Sequence, residues 1–195
     1  MRSNLYRWLL QSIIPYIRFT TYYPSLRGWK YQRGYNLLQP GDIILTVDRR
    51  KLTTVLIGGE FSHAAQCVGK NVEWEISEMT HHDYTMSTFF DICKEADRVV
   101  ILRCTDYDAD YIQKVIERCK ELRTAKYDQT FSLGVDFLYC SELNYQSDVE
   151  RRLQVNLEDL AGIGRPYISP TGLYKAKNVQ IVWDSDLEIA GIGQF

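Results

Sequence analysis

Three residues far apart in the chain have side chains suited to nucleophilic catalysis: Cys140, His63 and Glu75. Cys140 begins a predicted helix, where the positive end of the helix dipole and free N–H groups favour the thiolate over the thiol. A neighbouring histidine can take the thiol proton, and a carboxylate beside that histidine stabilises the resulting imidazolium. The three residue types are therefore sufficient for acyl transfer with Cys140 as the nucleophile.

The position of Glu75 follows from a predicted hairpin. Residues 63–68 and 72–77 are predicted strands joined by a short glycine-containing loop. If this loop has three residues, Ala65 lies opposite Glu75, and the two-residue period places His63 on the same face, one diagonal step away. A two-residue loop would turn Glu75 away from His63, so the pairing depends on the register.

Each of these residue types also has an ordinary structural role. A cysteine in an apolar segment is usually a small core residue, a strand histidine is often structural, and an acidic residue on a strand is commonly solvated. The remaining four cysteines occupy apolar positions of predicted strands or helices, and we expect them in the core; they are Cys67, Cys93, Cys104 and Cys119.

The composition predicts a globular protein of one main core, because 45% of the 195 residues are apolar and 25% are charged. A net charge of -2 argues against a nucleic-acid partner. Five cysteines without a CxxC spacing favour a reducing compartment over a disulfide framework. His81 and His82 are adjacent and have no cysteine close by, so we expect neither a metal nor a cofactor.

Residues 1–36 form a separate N-terminal region. Apolar residues at helical spacing from Leu5 to Tyr16 predict an amphipathic helix that Pro15 bends or ends, and residues 19–36 are typical of an extended connector. The apolar run is too short to span a membrane and lacks a signal-peptide cleavage site. We expect a cytoplasmic or virion-associated protein whose helix packs on the domain or a partner, with membrane-surface contact through residues 1–18 as the alternative.

The rest of the chain predicts an α+β fold. Strands are expected at residues 42–47, 99–104 and 179–183, in addition to the hairpin. Residues 108–122 have the clearest helical period, and residues 138–146 predict a shorter helix that begins near Cys140. Residues 51–57 fit no element clearly.

Several short segments between residues 37 and 183 occur in a characteristic order. They are Gly41-Asp42-Ile43-Ile44-Leu45, Ser62-His63-Ala64-Ala65, Glu75, Lys126-Tyr127-Asp128 with Phe131, Tyr139-Cys140-Ser141-Glu142-Leu143, and Ile168-Ser169-Pro170 with Leu173-Tyr174. This order resembles the permuted branch of the NlpC-like, papain-fold cysteine hydrolases, and its YiiX-like group in particular. A circular permutation explains why the histidine precedes the cysteine.

The resemblance implies Cys140 as nucleophile, His63 as general base and acid, and Glu75 as the residue that orients the histidine ring. We expect three further residues of the matching segments to contact the substrate; these are Tyr127, Tyr139 and Ser62. The implied fold is a permuted papain-like domain over residues 37–195, with a small antiparallel, barrel-like sheet packed on helices.

The resemblance also implies a reaction: hydrolysis of an amide through a thioester. Relatives of this type mostly cleave small peptide bonds in cell-wall peptides, so a peptidoglycan peptide is the first substrate class. The amphipathic N-terminal region makes a lipid acyl hydrolase or acyltransferase the alternative enzyme. A binding or virion structural module that has kept the fold is the non-enzymatic alternative.

Overall fold

The computed structural model describes residues 26, 28–49, 59–159 and 165–187. The predicted amphipathic helix and residues 51–57 lie outside these ranges. The described strands are β1 (Ile43–Val47), β2 (His63–Lys70), β3 (Trp74–Thr80), β4 (Asp83–Thr88), β5 (Arg98–Cys104), β6 (Lys126–Tyr127), β7 (Phe137–Leu138), β8 (Glu158–Asp159), β9 (Pro166–Tyr167) and β10 (Val179–Asp184). The described helices are α1 (Trp29–Leu37), α2 (Phe89–Cys93), α3 (Ala109–Glu121), α4 (Cys140–Ser147) and α5 (Pro170–Tyr174), with a 3-10 turn at Leu122–Thr124.

A six-stranded antiparallel sheet forms the centre of the α+β domain, in the order β10-β5-β1-β2-β3-β4. Its edges among the described strands are β10 and β4, so hydrogen bonding does not close these strands into a barrel. The expected strands at residues 42–47, 99–104 and 179–183 correspond to β1, β5 and β10. The α+β class and the antiparallel sheet packed on helices are confirmed.

Both faces of the sheet are covered, which explains why β1 is apolar at almost every position. All five of its residues are buried. Because side chains alternate between faces, Ile44 packs into one core while Ile43 and Leu45 pack into the other.

Helices α1 and α2 cover the first face. Tyr31 of α1 stacks on Phe89 of α2, with ring centroids 5.5 Å apart. Gly34 lies against the ring of Trp183, where an added Cβ atom would come within 2.7 Å of a ring carbon. The expected extended connector is therefore wrong for residues 29–36, which form a helix because their aromatic side chains pack on the sheet.

Helices α3 and α4 cover part of the second face. The side chain of Asp108 caps α3 by accepting the N–H of Tyr111, as the predicted helix at residues 108–122 requires. Cys119 of α3 and Leu143 of α4 share one apolar cluster with Val68 and Met79 of the sheet. This packing holds α4, and the residue at its beginning, against β2.

The hairpin of β2 and β3 differs from the expected register. Lys70 pairs with Trp74, and a bulge between Cys67 and Gly69 shifts the pairing farther along the hairpin. As a result Ala65 lies opposite Glu78, whereas Glu75 lies opposite Gly69. The predicted pairing of Ala65 with Glu75 is wrong because the turn lies two residues farther along the chain, which alone would pair Ala65 with Met79, and the extra residue of the bulge in β2 moves the partner back to Glu78.

No helix within the described ranges is long and apolar enough to cross a membrane. The five cysteines are all free thiols; four are buried and Cys140 is partly exposed.

Candidate active site

Cys140 is the first residue of α4 and follows the short strand β7 directly. The N-cap residue, Tyr139, makes no side-chain capping hydrogen bond to the helix. The N–H groups of Ser141 and Ala64 interact with the Cys140 sulfur and lower the pKa of its thiol. The sulfur therefore lies where backbone donors stabilise negative charge.

His63 is the first residue of β2 and is partly buried beside Cys140. Its Nε2 atom lies 2.7 Å from Oε2 of Glu78. The ring also hydrogen-bonds to the side chain of Cys140. Because Nε2 faces the carboxylate, the nitrogen that remains for the thiol is Nδ1.

Glu78, not Glu75, supplies the carboxylate that contacts His63. In the observed register Glu78 is opposite Ala65, one diagonal step from His63. Glu78 is three positions after Glu75, an odd offset, so the two side chains leave β3 on opposite faces. The expectation that Glu75 orients the histidine ring is therefore corrected by the register of the hairpin.

Ser87 of β4 supports this carboxylate from the other side. Its hydroxyl donates a short hydrogen bond to Oε1 of Glu78, while Oε2 of the same carboxylate faces His63. Each carboxylate oxygen thus has its own partner, and the plane of the group is fixed. Three adjacent strands, β2, β3 and β4, hold the imidazole in one orientation.

The pKa of Cys140 is lowered and that of His63 is raised, and both shifts favour the charged forms. Burial disfavours the thiolate, yet the hydrogen bond and the charge of His63 lower the pKa of Cys140 below its usual value. Burial also disfavours the imidazolium, but the hydrogen bonds to Cys140 and Glu78 raise the pKa of His63 to about 10. Both shifts favour the thiolate and the imidazolium over the neutral thiol and imidazole.

Asn144 connects the nucleophile helix to the strand that holds the histidine. Its Nδ2 group donates to the carbonyl of Ala65 at 3.3 Å and to Oε1 of Gln66 at 2.9 Å. Asn144 lies one turn after Cys140, so these bonds fix the distance between α4 and β2 close to the site.

The two neighbours of Cys140 are held by one residue of a distant segment. The hydroxyl of Tyr139 accepts the N–H of Ile168 at 2.8 Å, and the hydroxyl of Ser141 donates to the carbonyl of Ile168 at 2.7 Å. All three groups are buried. The turn that presents Cys140 is consequently fixed on both sides.

The three expected substrate-contacting residues lie in different environments. Tyr127 is partly buried near Cys140, and burial together with the negative charge on that sulfur raises its pKa. The side chain of Tyr139 is 1% exposed and bonded to Ile168, so it is not available to a substrate, and that expectation is wrong. The hydroxyl of Ser62 joins β1 and β2 by donating to the carbonyl of Thr46 and accepting the N–H of Asp48.

Glu78 and Ser87 are the site residues that the sequence prediction missed. Glu78 directly follows the predicted strand at residues 72–77, three positions after Glu75. The position of the turn together with the bulge selects it, and no residue spacing indicates the bulge.

Comparison with solved structures supports the fold. The crystal structure of metalloprotein yiiX from Escherichia coli O157:H7 is similar, with a TM-score of 0.64 and 20% sequence identity; 74% of this chain and 96% of that chain are covered. No curated protein matches this chain. Within the described ranges of this chain, no three His, Cys, Asp or Glu side chains are grouped so as to hold a metal ion.

Comparison with family models gives the family directly. The model described as the permuted papain-like amidase enzymes, YaeF/YiiX, C92 family, matches residues 37–177, well over half of the chain. This range contains the cysteine, the histidine and the carboxylate of the site. The chain belongs to the permuted papain-like amidase family of YaeF and YiiX.

Proposed function

We propose that the protein is a cysteine amidase that cleaves an amide bond through a thioester, with Cys140 as nucleophile, His63 as acid and base, and Glu78 as the group that orients His63. Membership of the amidase family supports the reaction class. The observation that carries the assignment is the continuous set of contacts from the Cys140 thiol through His63 to the carboxylate of Glu78.

The first half of the reaction uses the ion pair. The Cys140 thiolate attacks the amide carbonyl, and the N–H groups around the first turn of α4 are suited to stabilise the oxygen that becomes negative. His63 then gives its Nδ1 proton to the leaving nitrogen, so that the C–N bond breaks and an amine departs. The acyl group remains on sulfur as a thioester.

The second half restores the enzyme. Neutral His63 takes a proton from water, the hydroxide attacks the thioester carbonyl, and the C–S bond breaks to release a carboxylic acid and the thiolate. The imidazolium forms once more, and the carboxylate of Glu78 stabilises it at Nε2.

The proposed substrate is a short peptide, and cell-wall peptides are the first class to test. A second candidate substrate, a lipid ester or amide, is favoured by one observation. Three apolar side chains, Leu133, Val135 and Phe137, are exposed in the segment that leads into Cys140, and Phe137 is 58% exposed. An apolar group of either substrate type would be recognised there.

Thiol labelling tests the proposed nucleophile, because the other four cysteines act as internal controls. Burial raises the pKa of Cys67 to about 12 and that of Cys104 to about 11, and it also raises the pKa of Cys93 and Cys119. We expect iodoacetamide to alkylate Cys140 first at about pH 7. Equal labelling of all five thiols, measured by peptide mass spectrometry, would contradict the proposal.

Turnover is then measured with the wild-type protein, Cys140→Ala and Cys140→Ser. Muropeptides and phospholipid vesicles are incubated separately with each protein, and the products are identified by mass spectrometry. We expect cleavage of muropeptides by the wild type alone, because both variants keep the fold but lose the thiolate. Release of fatty acid from the vesicles would select the lipid class instead, and full activity of Cys140→Ala would exclude Cys140 as nucleophile.

A further inference from the structure

Glu142 carries a buried carboxyl group two residues after the nucleophile, in the first turn of α4. The residue is 0% exposed. Its Oε2 atom has no hydrogen-bond partner within the described part of the chain. Burial of a carboxyl with one oxygen unpaired is unfavourable, so a buried Glu142 indicates a role beyond packing.

The other oxygen of Glu142 joins two parts of the site. Oε1 accepts the backbone N–H of Gly134 at 2.6 Å and the side-chain amide of Gln146 at 3.2 Å. Gln146 belongs to α4, whereas Gly134 belongs to residues 128–137, the segment that follows β6 and includes the first residue of β7, which we call the wall loop. One side chain therefore fixes the wall loop to the nucleophile helix.

The wall loop has two halves that are held differently. Buried Asp128 organises the first half by accepting the N–H groups of Thr130 and Ser132. In the second half, the N–H of Gly134 donates to Oε1 of Glu142. The pairing of β6 with β7 fixes the end of the wall loop, and Glu142 ties its middle to α4.

This second half borders a surface depression close to the nucleophile. Asp128, Thr130 and residues 132–137 line a cavity of about 370 Å³, and its exposed apolar side chains are Leu133, Val135 and Phe137. Phe137 precedes Cys140 by three residues, so their Cα atoms lie at most about 11 Å apart. A substrate group that extends from Cys140 by this distance reaches the wall loop.

The charge state of Glu142 varies near neutral pH. Burial is the main cause that raises the pKa of Glu142 to about 7, and the negative charge of Asp128 acts in the same direction. The groups that oppose this rise are the N–H of Gly134, the amide of Gln146 and the backbone of Tyr139. An ionised carboxylate accepts a hydrogen bond more strongly than a neutral carboxyl, so the tie to Gly134 is stronger above this pH.

We propose that Glu142 is a positioning residue that holds the wall loop in place, so that the loop can bind an apolar group of the substrate beside Cys140. This inference rests on the proposed function of Cys140 as nucleophile. Protonation of Glu142 weakens the bond to Gly134 and loosens the second half of the wall loop.

The test compares two alkylating probes, iodoacetamide and N-hexyl iodoacetamide, because the second carries an apolar group that can reach the wall loop. The rate of Cys140 alkylation by N-hexyl iodoacetamide divided by the rate with iodoacetamide measures how well the wall loop binds the hexyl group. The rate with iodoacetamide alone measures the reactivity of the thiol. We expect Glu142→Gln to lower the ratio roughly tenfold at about pH 8, because glutamine can accept the N–H of Gly134 only through a weaker, neutral hydrogen bond. Glu121→Gln, which removes an exposed carboxylate of α3, is the matched control and leaves the ratio unchanged.

Two measurements keep the proposal testable if Glu142→Gln folds poorly. In the wild-type protein the ratio should fall as the pH is lowered through about 7, and the protection factor of the Gly134 amide, its exchange rate relative to the intrinsic rate at the same pH, should fall over the same range. A ratio and a protection factor that stay constant across this range would overturn the proposal. Iodoacetamide labelling of all five cysteines at one rate would instead overturn the proposed function, while hydrogen exchange at Gly134 still tests the tie to Glu142.

Discussion

Replacement of Glu78 by glutamine should change which nitrogen of His63 carries a proton. In the structure Nε2 faces Oε2 of Glu78 at 2.7 Å, and Nδ1 remains for Cys140. The amide of a glutamine has no charge to stabilise the imidazolium. It can also donate a hydrogen to Nε2, which favours the tautomer with its proton on Nδ1, and this tautomer cannot accept the thiol proton.

The size of the effect follows from the bond that is lost. A hydrogen bond to a charged group contributes about 1.5–3 kcal/mol, and one pKa unit corresponds to about 1.4 kcal/mol. Both side chains are mostly buried, with exposures of 24% for His63 and 11% for Glu78, so solvent screens the interaction little. We therefore expect Glu78→Gln to raise the pH at which the Cys140 thiolate forms by about 1–2 units, and to lower kcat by roughly 10²–10⁴-fold.

The assay is the pH dependence of Cys140 alkylation by iodoacetamide from about pH 5 to pH 10. Glu75→Gln is the matched control, because it makes the same chemical change three residues earlier on β3, opposite Gly69. We expect the profile of Glu75→Gln to overlay that of the wild type, and the profile of Glu78→Gln to move to higher pH. The reverse result, a shift with Glu75→Gln alone, would refute the register from which the site is derived.

Two further predictions concern stability. Folding raises the pKa of Glu142 from its usual 4.5 to about 7, so between these pH values the folded state binds a proton that the unfolded state does not. This protonation contributes about 3 kcal/mol to the free energy of unfolding at low pH, and the contribution is lost as pH rises through about 7. We expect urea denaturation to show that the free energy of unfolding of the wild type, relative to that of Glu142→Gln, falls by this amount from about pH 5 to about pH 8. The same difference between the two proteins at both pH values would contradict the raised pKa. Tyr139→Phe leaves the buried N–H of Ile168 without its acceptor, so the free energy of unfolding should fall by about 1–3 kcal/mol; an unchanged denaturation midpoint would show that Ile168 has another partner.

The elements that sequence reasoning predicted well are those with strong local periodicity. The helix at residues 108–122 has apolar residues on one face and an aspartate at its start, and α3 follows this pattern closely. The helix that begins near Cys140 was also predictable, because an apolar strand ends there and polar residues suited to a helix follow. Local physics was sufficient in both cases.

Residues 29–36 show where local reasoning fails. Tyrosine and glycine are not strong helix formers, and the segment lacks a side-chain N-cap hydrogen bond. The helix forms because tertiary contacts override this weak preference: Tyr31 packs on Phe89, and Gly34 admits the ring of Trp183. Both partners lie far along the chain, so the sequence of the segment itself contains no sign of them.

The third member of the site was missed for a different reason. A carboxylate does lie one diagonal step from His63, as the hairpin geometry predicts, but it belongs to Glu78 and not to Glu75. Only the register failed. Turn position and a bulge each alter the pairing by whole residues, and an odd total moves a side chain to the other face, so a small local error exchanged the two glutamates.

The cysteine and the histidine meet through contacts that are even less local. Ser141 reaches Ile168 across 27 residues, and Asn144 reaches Ala65 across 79 residues. These bonds involve buried polar groups, which are unfavourable unless every partner is in place, so the site and the fold form together. A substitution that breaks one of these bonds therefore alters the distance between the Cys140 sulfur and the His63 ring without replacing either residue. The side chains of α4 that contact β2 and the segment at Ile168 determine the position of the sulfur.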